Sequence, residues 1–370
     1  MKIERVRFYV DAADRWRDWF IGCWGLQVVA EGSLDSNASA VVVNSEAVQF
    51  VIAAPTGRHG TIASYLRQHP PGVGAIDFVV DNLDICLARA LAAGSRLRHP
   101  PRERHDERGR VRWARIACAG SVDFVTIERK GNTPALPDSN IDLLAGSCPT
   151  TGPFRELDHV VLNVAAGQLA PTARWLEAAF GFQLRQSFAI GTDHSALASQ
   201  VLVHPESGTQ LPVNEPMSPN SQIQEFLDAN RGPGIQHVAL ETTEIAEVVT
   251  HLRRAGVRFL DVPGSYYAEL NTRLQPYSLQ AIECEAVARA RILVDRSIDA
   301  DLNVGVGHEA PLLFQIFTQP VFGQSTFFFE LIERRASARG FGEGNFQALF
   351  EAIEREQLQR SRLKPLATSA

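Results

Sequence analysis

The 370-residue chain has only five cysteines, two methionines and no excess of positive charge. Cys23, Cys86, Cys118, Cys148 and Cys284 are odd in number, widely spaced and never arranged as CxxC. That excludes a disulfide scaffold or a cysteine-based zinc site and points to reduced thiols. Lysine and arginine number 36 against 42 acidic residues, a formal net charge of −6, so the electrostatic footprint of a nucleic-acid binder is missing. No apolar run approaches the roughly 20 residues that cross a bilayer. The opening MKIERVRFYV lacks the basic-then-apolar order of a secretion signal. These absences lead us to expect a cytoplasmic protein that engages neither nucleic acid nor membrane.

What is present is repetition. The length exceeds one ordinary core and suits two domains or one duplicated unit. RVRFYV (5–10) and HVVLNV (159–164) are alternating strands, each followed by an amphipathic helix and an aromatic–glycine stop, Trp24-Gly25 and Phe180-Gly181. AIDFVVDNLDICLARALAAG and QHVALETTEIAEVVTHLRRAG repeat strand, turn, helix and glycine stop, and DFVTIERK (123–130) resembles FFELIERR (328–335). The expected fold class is α+β. Duplicated βαβββ modules form two half-open barrels, with a C-terminal helix over the second. The expected boundaries are 1–135 for a metal-free first domain, 136–153 for a Pro/Gly/Ser-rich linker and 154–370 for the catalytic domain. The charge run PPRERHDERGRVRW (100–113) is expected to be a solvated hairpin loop. Phe346, Leu349, Phe350 and Ile353 recur at helical spacing near the C-terminus.

Alternate residues of a strand face the same side, so one face of each barrel strand lines the interior. Three strands of the second half carry a metal-ligating residue: His159 in LDHVVLNV, His237 in IQHVAL and Glu330 in FFFELIER. A carboxylate flanked by Phe and Ile needs a compensating positive charge, and a divalent cation supplies one. Two histidines and one carboxylate form the ligand set of non-haem Fe(II) oxygenases, with coordination positions left for substrate and O₂. GVGAIDFVV (72–80) lies over GPGIQHVAL (232–240) without a gap, setting Asp77 on His237. On that alignment the first half offers Arg5, Asp77 and Val125, which cannot bind a metal. The remaining histidines, including His59, His69, His99, His105, His194, His204, His251 and His308, are read as surface residues.

LDHVVLNV, LPVNEP, SQIQEFL, GPGIQHVAL, LLFQIFTQP, FFFELIERR and GFGEGNFQALFEAIE resemble, in order, the motif series of the 4-hydroxyphenylpyruvate dioxygenase family, within the vicinal oxygen chelate superfamily. The resemblance covers nearly all of the second half and, more weakly, HPPGVGAIDFVV in the first. It implies Fe(II) held by His159, His237 and Glu330, with 4-hydroxyphenylpyruvate and O₂ converted to homogentisate and CO₂. It also implies a substrate pocket. Ser199, Asn214 and Gln222 match its polar residues, Gln315 a catalytic amide near the iron, and Phe346 the aromatic of the closing helix beside Asn345. Phe317 shares the face of Gln315. Phe314 and a long segment at 296–311 depart from the family pattern. 4-Hydroxymandelate synthase shares the fold and ligands, but Asn214 in PVN favours the dioxygenase. An isomerase or ring-cleaving relative fits SQIQEFL and GFGEGNF poorly, and a metal-free binding module would have no use for the triad. An apolar face on the metal-free half suits self-association, so a homo-oligomer is expected.

Overall fold

The computed structural model describes the chain except residues 145–149, 193, 269, 275–278, 297–310, 324, 343, 349, 352 and 356–370. The first half runs β1 (Lys2–Tyr9), α1 (Ala13–Trp24), β2 (Gln27–Asp35), β3 (Ala38–Ser45), β4 (Val48–Pro55), α2 (Thr61–Gln68), β5 (Gly72–Val79), α3 (Leu83–Ala92), β6 (Leu97–Asp106), β7 (Gly109–Ala117) and β8 (Asp123–Gly131). The second repeats it: β9 (Glu156–Asn163), α4 (Leu169–Phe180), β10 (Gln183–Gly191), β11 (Ala196–Val203), β12 (Gln210–Pro216), α5 (Gln222–Asn230), β13 (Gly234–Glu241), α6 (Ile245–Arg254), β14 (Leu293–Arg296), β15 (Leu312–Phe317) and β16 (Phe328–Arg334). Short helices, among them Ala281–Ala290, fill the stretch between α6 and β14, and residues 344–355 are helical where described.

Each half folds into one eight-stranded sheet with the same order, β2-β3-β4-β1-β5-β8-β7-β6 and β10-β11-β12-β9-β13-β16-β15-β14. In both, the central antiparallel pair is flanked by parallel partners: β1 by β4 and β5 by β8, β9 by β12 and β13 by β16. The duplicated fold expected from the sequence is therefore present. The glycine stops behave as read: Gly25 and Gly181 close α1 and α4 with φ of 67° and 78°, a region open to glycine at little cost.

Hydrogen bonds correct the gapless alignment. The Glu128 carboxylate accepts from Leu83 N at the start of α3, and Glu333 accepts from Ile245 N at the start of α6. Val80 N donates to Ile127 O as Thr242 N donates to Ile332 O. Strand pairing agrees: Arg5 faces Asp77 where His159 faces Ala239, and Arg7 faces Ala75 where Val161 faces His237. The counterpart of His237 is thus Ala75, that of Asp77 is Ala239, and Gly72 matches Gly234. Matching the G-x-G spacing slipped the register by two residues.

The charge run is also corrected. It forms β6 and β7, which pair antiparallel across a turn at 107–108. β6 is the sheet's edge and solvent reaches nearly all of its residues, so polar residues are tolerated there as they are in a loop. The linker does not hang free. Leu136, Ile141 and Leu143 pack against Tyr9, Leu34 and Val42 of the first sheet. Cys23, Cys86, Cys118 and Cys284 are free thiols, and Cys148 lies outside the described residues.

The principal core lies between the halves. Phe8, Phe20, Trp24 and Phe50 meet Phe329 with ring centroids 4.5–6.0 Å apart. Phe329 therefore faces the first half, and alternation along β16 turns its neighbour Glu330 into the second barrel.

Candidate metal centre

β9, β13 and β16 are adjacent at the middle of the second sheet, so their inward faces converge. His159, His237 and Glu330 are all buried, and one ligand atom from each lies within 4.8 Å of the others. Glu330 Oε2 is 3.1 Å from His159 Nε2 and 3.5 Å from His237 Nε2. Both imidazoles thus aim the same nitrogen at one point, with a carboxylate oxygen beside them. A two-histidine, one-carboxylate donor set of this kind fits a divalent metal ion. The sequence named all three.

His159 and Glu330 are held from behind by hydrogen bonds. Asp158 Oδ1 sits 2.7 Å from His159 Nδ1, which donates when Nε2 is the free lone pair. Arg334 grips Asp158 with two bonds of 2.6 and 2.8 Å. The same guanidinium donates to the carbonyls of Ala338 and Gly340. This fixes the loop that carries Phe341, whose ring lies edge-on to His159 at 5.0 Å. Gln315 Nε2 donates to Glu330 Oε1 at 2.7 Å and to Phe341 O at 3.2 Å, while Gln315 Oε1 accepts from Asn345 at 2.8 Å. Asn345 Oδ1 accepts from the Tyr266 hydroxyl, tying the start of the C-terminal helix into the same network. His237 stacks on Phe328 at 4.7 Å with Phe317 beyond it, and its Nδ1 meets no partner among the described residues.

These contacts decide the charges. Burial resists ionisation of Asp158, but Arg334 outweighs it and holds the carboxyl well below the usual range. Burial likewise opposes a charge on His159, yet Glu330 and Asp158 raise it to about 9. Glu330, against the same penalty, is held down to about 2 by the histidines. Burial lowers His237. Of the two imidazoles, His159 is the one whose surroundings favour the charged form, and burial keeps His237 neutral.

Of the pocket residues expected from the sequence, Gln315, Asn345 and Phe317 join the contacts around the triad, and Ser199, Asn214 and Gln222 lie on β11, β12 and α5 of the same half. Ser199 and Asn214 are paired neighbours on β11 and β12, and Asn214 is level with Asn163 at the end of β9. Asn214 Nδ2 donates to Asn163 Oδ1 at 3.3 Å. Asn163 Nδ2, Ser199 Oγ, Asn214 Oδ1 and Gln222 Oε1 are buried without a hydrogen-bond partner among the described residues. Phe317 is buried, and Phe346 is half-buried against Phe188 at the mouth of the barrel. A cavity of about 30 Å³ remains between Gln222, Gln236, Phe328 and Ile353 of the C-terminal helix. Leu349, expected on the same helix, lies outside the described residues, as does most of the segment at 296–311.

Sequence reading places Asn163 on the β9 face of His159 but assigns it no role. It missed Asp158, Arg334 and Tyr266, whose partners are distant in the chain. Two histidines read as surface residues are buried. His69 bridges the halves, with ring nitrogens 2.6 Å from Asn230 O and 2.8 Å from Ser121 Oγ. His204 sits against the N-terminal amine. His99 and His105 lie on β6, outside any loop, and His308 is outside the described residues. No described helix is long and apolar enough to cross a membrane.

A family model for the Glyoxalase/Bleomycin resistance protein/Dioxygenase superfamily matches residues 156–273. The chain is 34% identical to 4-hydroxyphenylpyruvate dioxygenase of Caenorhabditis briggsae over 97% of its own length and 93% of the relative. It is 35% identical to the enzyme of that name from Legionella pneumophila, over 92% of this chain and 90% of the other. Among solved structures, a mutant of 4-hydroxymandelate synthase from Streptomyces coelicolor superposes with a TM-score of 0.83 at 28% identity, covering 96% of this chain and 98% of that one. Together with the duplicated sheets and the metal-binding triad, these matches establish that the chain belongs to the 4-hydroxyphenylpyruvate dioxygenase-like family of the vicinal oxygen chelate superfamily.

Proposed function

We propose that the protein is an Fe(II) dioxygenase that converts 4-hydroxyphenylpyruvate and O₂ to homogentisate and CO₂, in tyrosine breakdown or in the supply of a quinone precursor, in the cytoplasm. The observation that carries the reading is the set of buried, unpartnered polar atoms on β9, β11, β12 and α5 of the half that holds the triad. Leaving one such group unmet costs about 1–3 kcal/mol, and four together mark a place shaped for a ligand that meets them.

His159, His237 and Glu330 would hold the iron, which would supply chelation of the 2-oxo acid and activation of O₂. The chain's own residues supply position. Phe317 and Phe346 offer flat apolar walls for the phenyl ring, and Ser199, Asn163, Asn214 and Gln222 offer hydrogen bonds to its hydroxyl. Gln315 keeps Glu330 turned toward the histidines and fastens Asn345, so the C-terminal helix and Phe341 exclude water from the same side. A homo-oligomer belongs to this reading, and exposed Ile85 and Leu91 of α3 are apolar residues that a second copy would cover.

The high structural likeness to a 4-hydroxymandelate synthase supports a second reading, with the same substrates and attack on the side chain. O₂ uptake by the Fe(II)-loaded protein with 4-hydroxyphenylpyruvate, followed by chromatographic and mass-spectrometric identification of the product, separates the two. Homogentisate supports the dioxygenase and 4-hydroxymandelate the synthase. Bound iron with no O₂ uptake would reject both.

A further inference from the structure

We infer that the first barrel contains a binding site for a small organic monoanion with a flat apolar body, of the benzoate type. A cleft of about 270 Å³ opens there, lined among others by Tyr9, Trp113, Arg115, Arg102 and His99. Its size falls just below the roughly 300–1,000 Å³ of pockets for drug-sized molecules, and suits a smaller one. Its place in the fold is specific. Arg115 faces Val125 as Phe317 faces Glu330, Trp113 faces Ile127 as Gln315 faces Ile332, and Tyr9 faces Gly72 as Asn163 faces Gly234. The cleft is therefore the first-half counterpart of the pocket beside the triad, relined with aromatic rings and guanidinium groups.

The charges facing it are Arg7, Arg102 and Arg115 against Asp35 and Asp138. Arg7 is spent, since Asp77 and Asp138 each take bonds of 2.6–2.9 Å from it. Arg115 donates to the Tyr9 hydroxyl at 3.1 Å and to Asp138 at 3.4 Å and pairs with Asp123 at 3.6 Å, which leaves some of its five N–H groups without a bond. Asp123 is claimed more closely by Arg98, at 2.8 Å. Arg102 lies at the rim of the cleft and makes no ion pair among the described residues. Two guanidinium groups thus border the space with donors left over, and a carboxylate meets such groups with charge-assisted, bidentate bonds. Tyr9 and Trp113 furnish the apolar walls. Asp138, from the segment after β8, also lines the cleft and accepts from both Arg7 and Arg115.

The test is calorimetric titration of the metal-loaded, full-length protein with sodium benzoate, beside Arg102→Ala, Arg115→Gln and His237→Ala. Arg102 is at the surface, so its variant retains the fold even if Arg115→Gln does not. Saturable binding is expected in the wild type. It should weaken about tenfold in Arg102→Ala, the scale of one hydrogen bond to a charged group, and persist in His237→Ala. Cyclohexylamine, of similar size and opposite charge, should not bind. The inference fails if benzoate does not saturate the protein, if Arg102→Ala leaves its affinity intact, or if His237→Ala abolishes binding.

Discussion

At three equivalent register positions the first barrel carries Arg5, Ala75 and Val125, and the second carries His159, His237 and Glu330. The backbone is the same, and the chemistry differs completely. Where the second barrel gathers metal-ligating atoms, the first fills the space in two ways. Ala75 and Val125 pack with Val111, Trp113 and Ile127 as a small apolar cluster. Arg5 and Arg7 are answered by Asp77, which has no ionisable counterpart because Ala239 stands in its place. Each barrel is also closed by the segment that follows its last strand, the linker through Leu143 in one and the C-terminal helix in the other. The comparison teaches that a metal site and an ion-pair core are alternative ways to stabilise one buried position, and that each needs several residues changed together.

The most severe way to break the comparison is to remove a ligand. Glu330→Ala or His237→Ala should reduce metal content from stoichiometric to trace by elemental analysis, with turnover falling on the order of a thousandfold or more. Variants that retain metal and activity would refute the assignment. The corresponding cut in the first barrel should affect stability alone. Asp77→Ala leaves Arg5 without its ion pair to that carboxylate and strips Arg7 of one of its two, all in buried surroundings, at a cost of about 3–5 kcal/mol in chemical denaturation. Its metal affinity should stay unchanged.

A smaller effect is expected from the carboxylate behind His159. Asp158→Ala should weaken metal binding by about 10–100-fold in chelator competition, because His159 loses the group that fixes its tautomer. Asp158→Asn, which keeps an acceptor, should recover most of the loss. Equal affinity for wild type and Asp158→Ala would show that the contact orients nothing.

The mildest test uses pH on the metal-free protein. His159 is raised to about 9, so its contribution to stability is complete below its ordinary pKa of 6.5 and fades as pH climbs through about 9. Glu330 is depressed to about 2, so its contribution is complete above its ordinary 4.5 and is lost as pH falls toward about 2. These two contributions are both complete only between those ordinary values, while His237, which burial lowers, loses stability as pH falls below 6.5, so melting temperature should be highest near 6.5 and decline on both sides. Metal should flatten the alkaline decline by taking the proton's place, and an identical profile with and without metal would contradict a raised His159.

The ligands were legible because each sits in an alternating strand whose same-face neighbours are apolar, an arrangement that is costly for a charged group without a partner. The charge run was misread because an edge strand bathed in solvent carries no alternation to betray it. His69 and His204 were misread because each is buried by the other half of the molecule, through Asn230 in one case and the N-terminus in the other. The register slip at Gly72 and Gly74 has a similar origin. A glycine pattern repeats cheaply, whereas pairing is set by long-range hydrogen bonds such as those from Leu83 N to Glu128 and from Ile245 N to Glu333.

By itself, the sequence determined the duplication, the strand–helix–glycine-stop opening of each module and the three residues of the triad. These follow from side-chain periods of 2 and 3.6, which are local properties of the chain. Only the tertiary structure decided which first-half residues stand opposite the triad, that the linker closes the first barrel, and that Asp158 and Arg334 join a ligand to the loop entering the C-terminal helix. Those depend on pairings between residues up to 176 positions apart. Such pairings arise only when two faces are brought together and buried groups must find partners, and no local pattern encodes them.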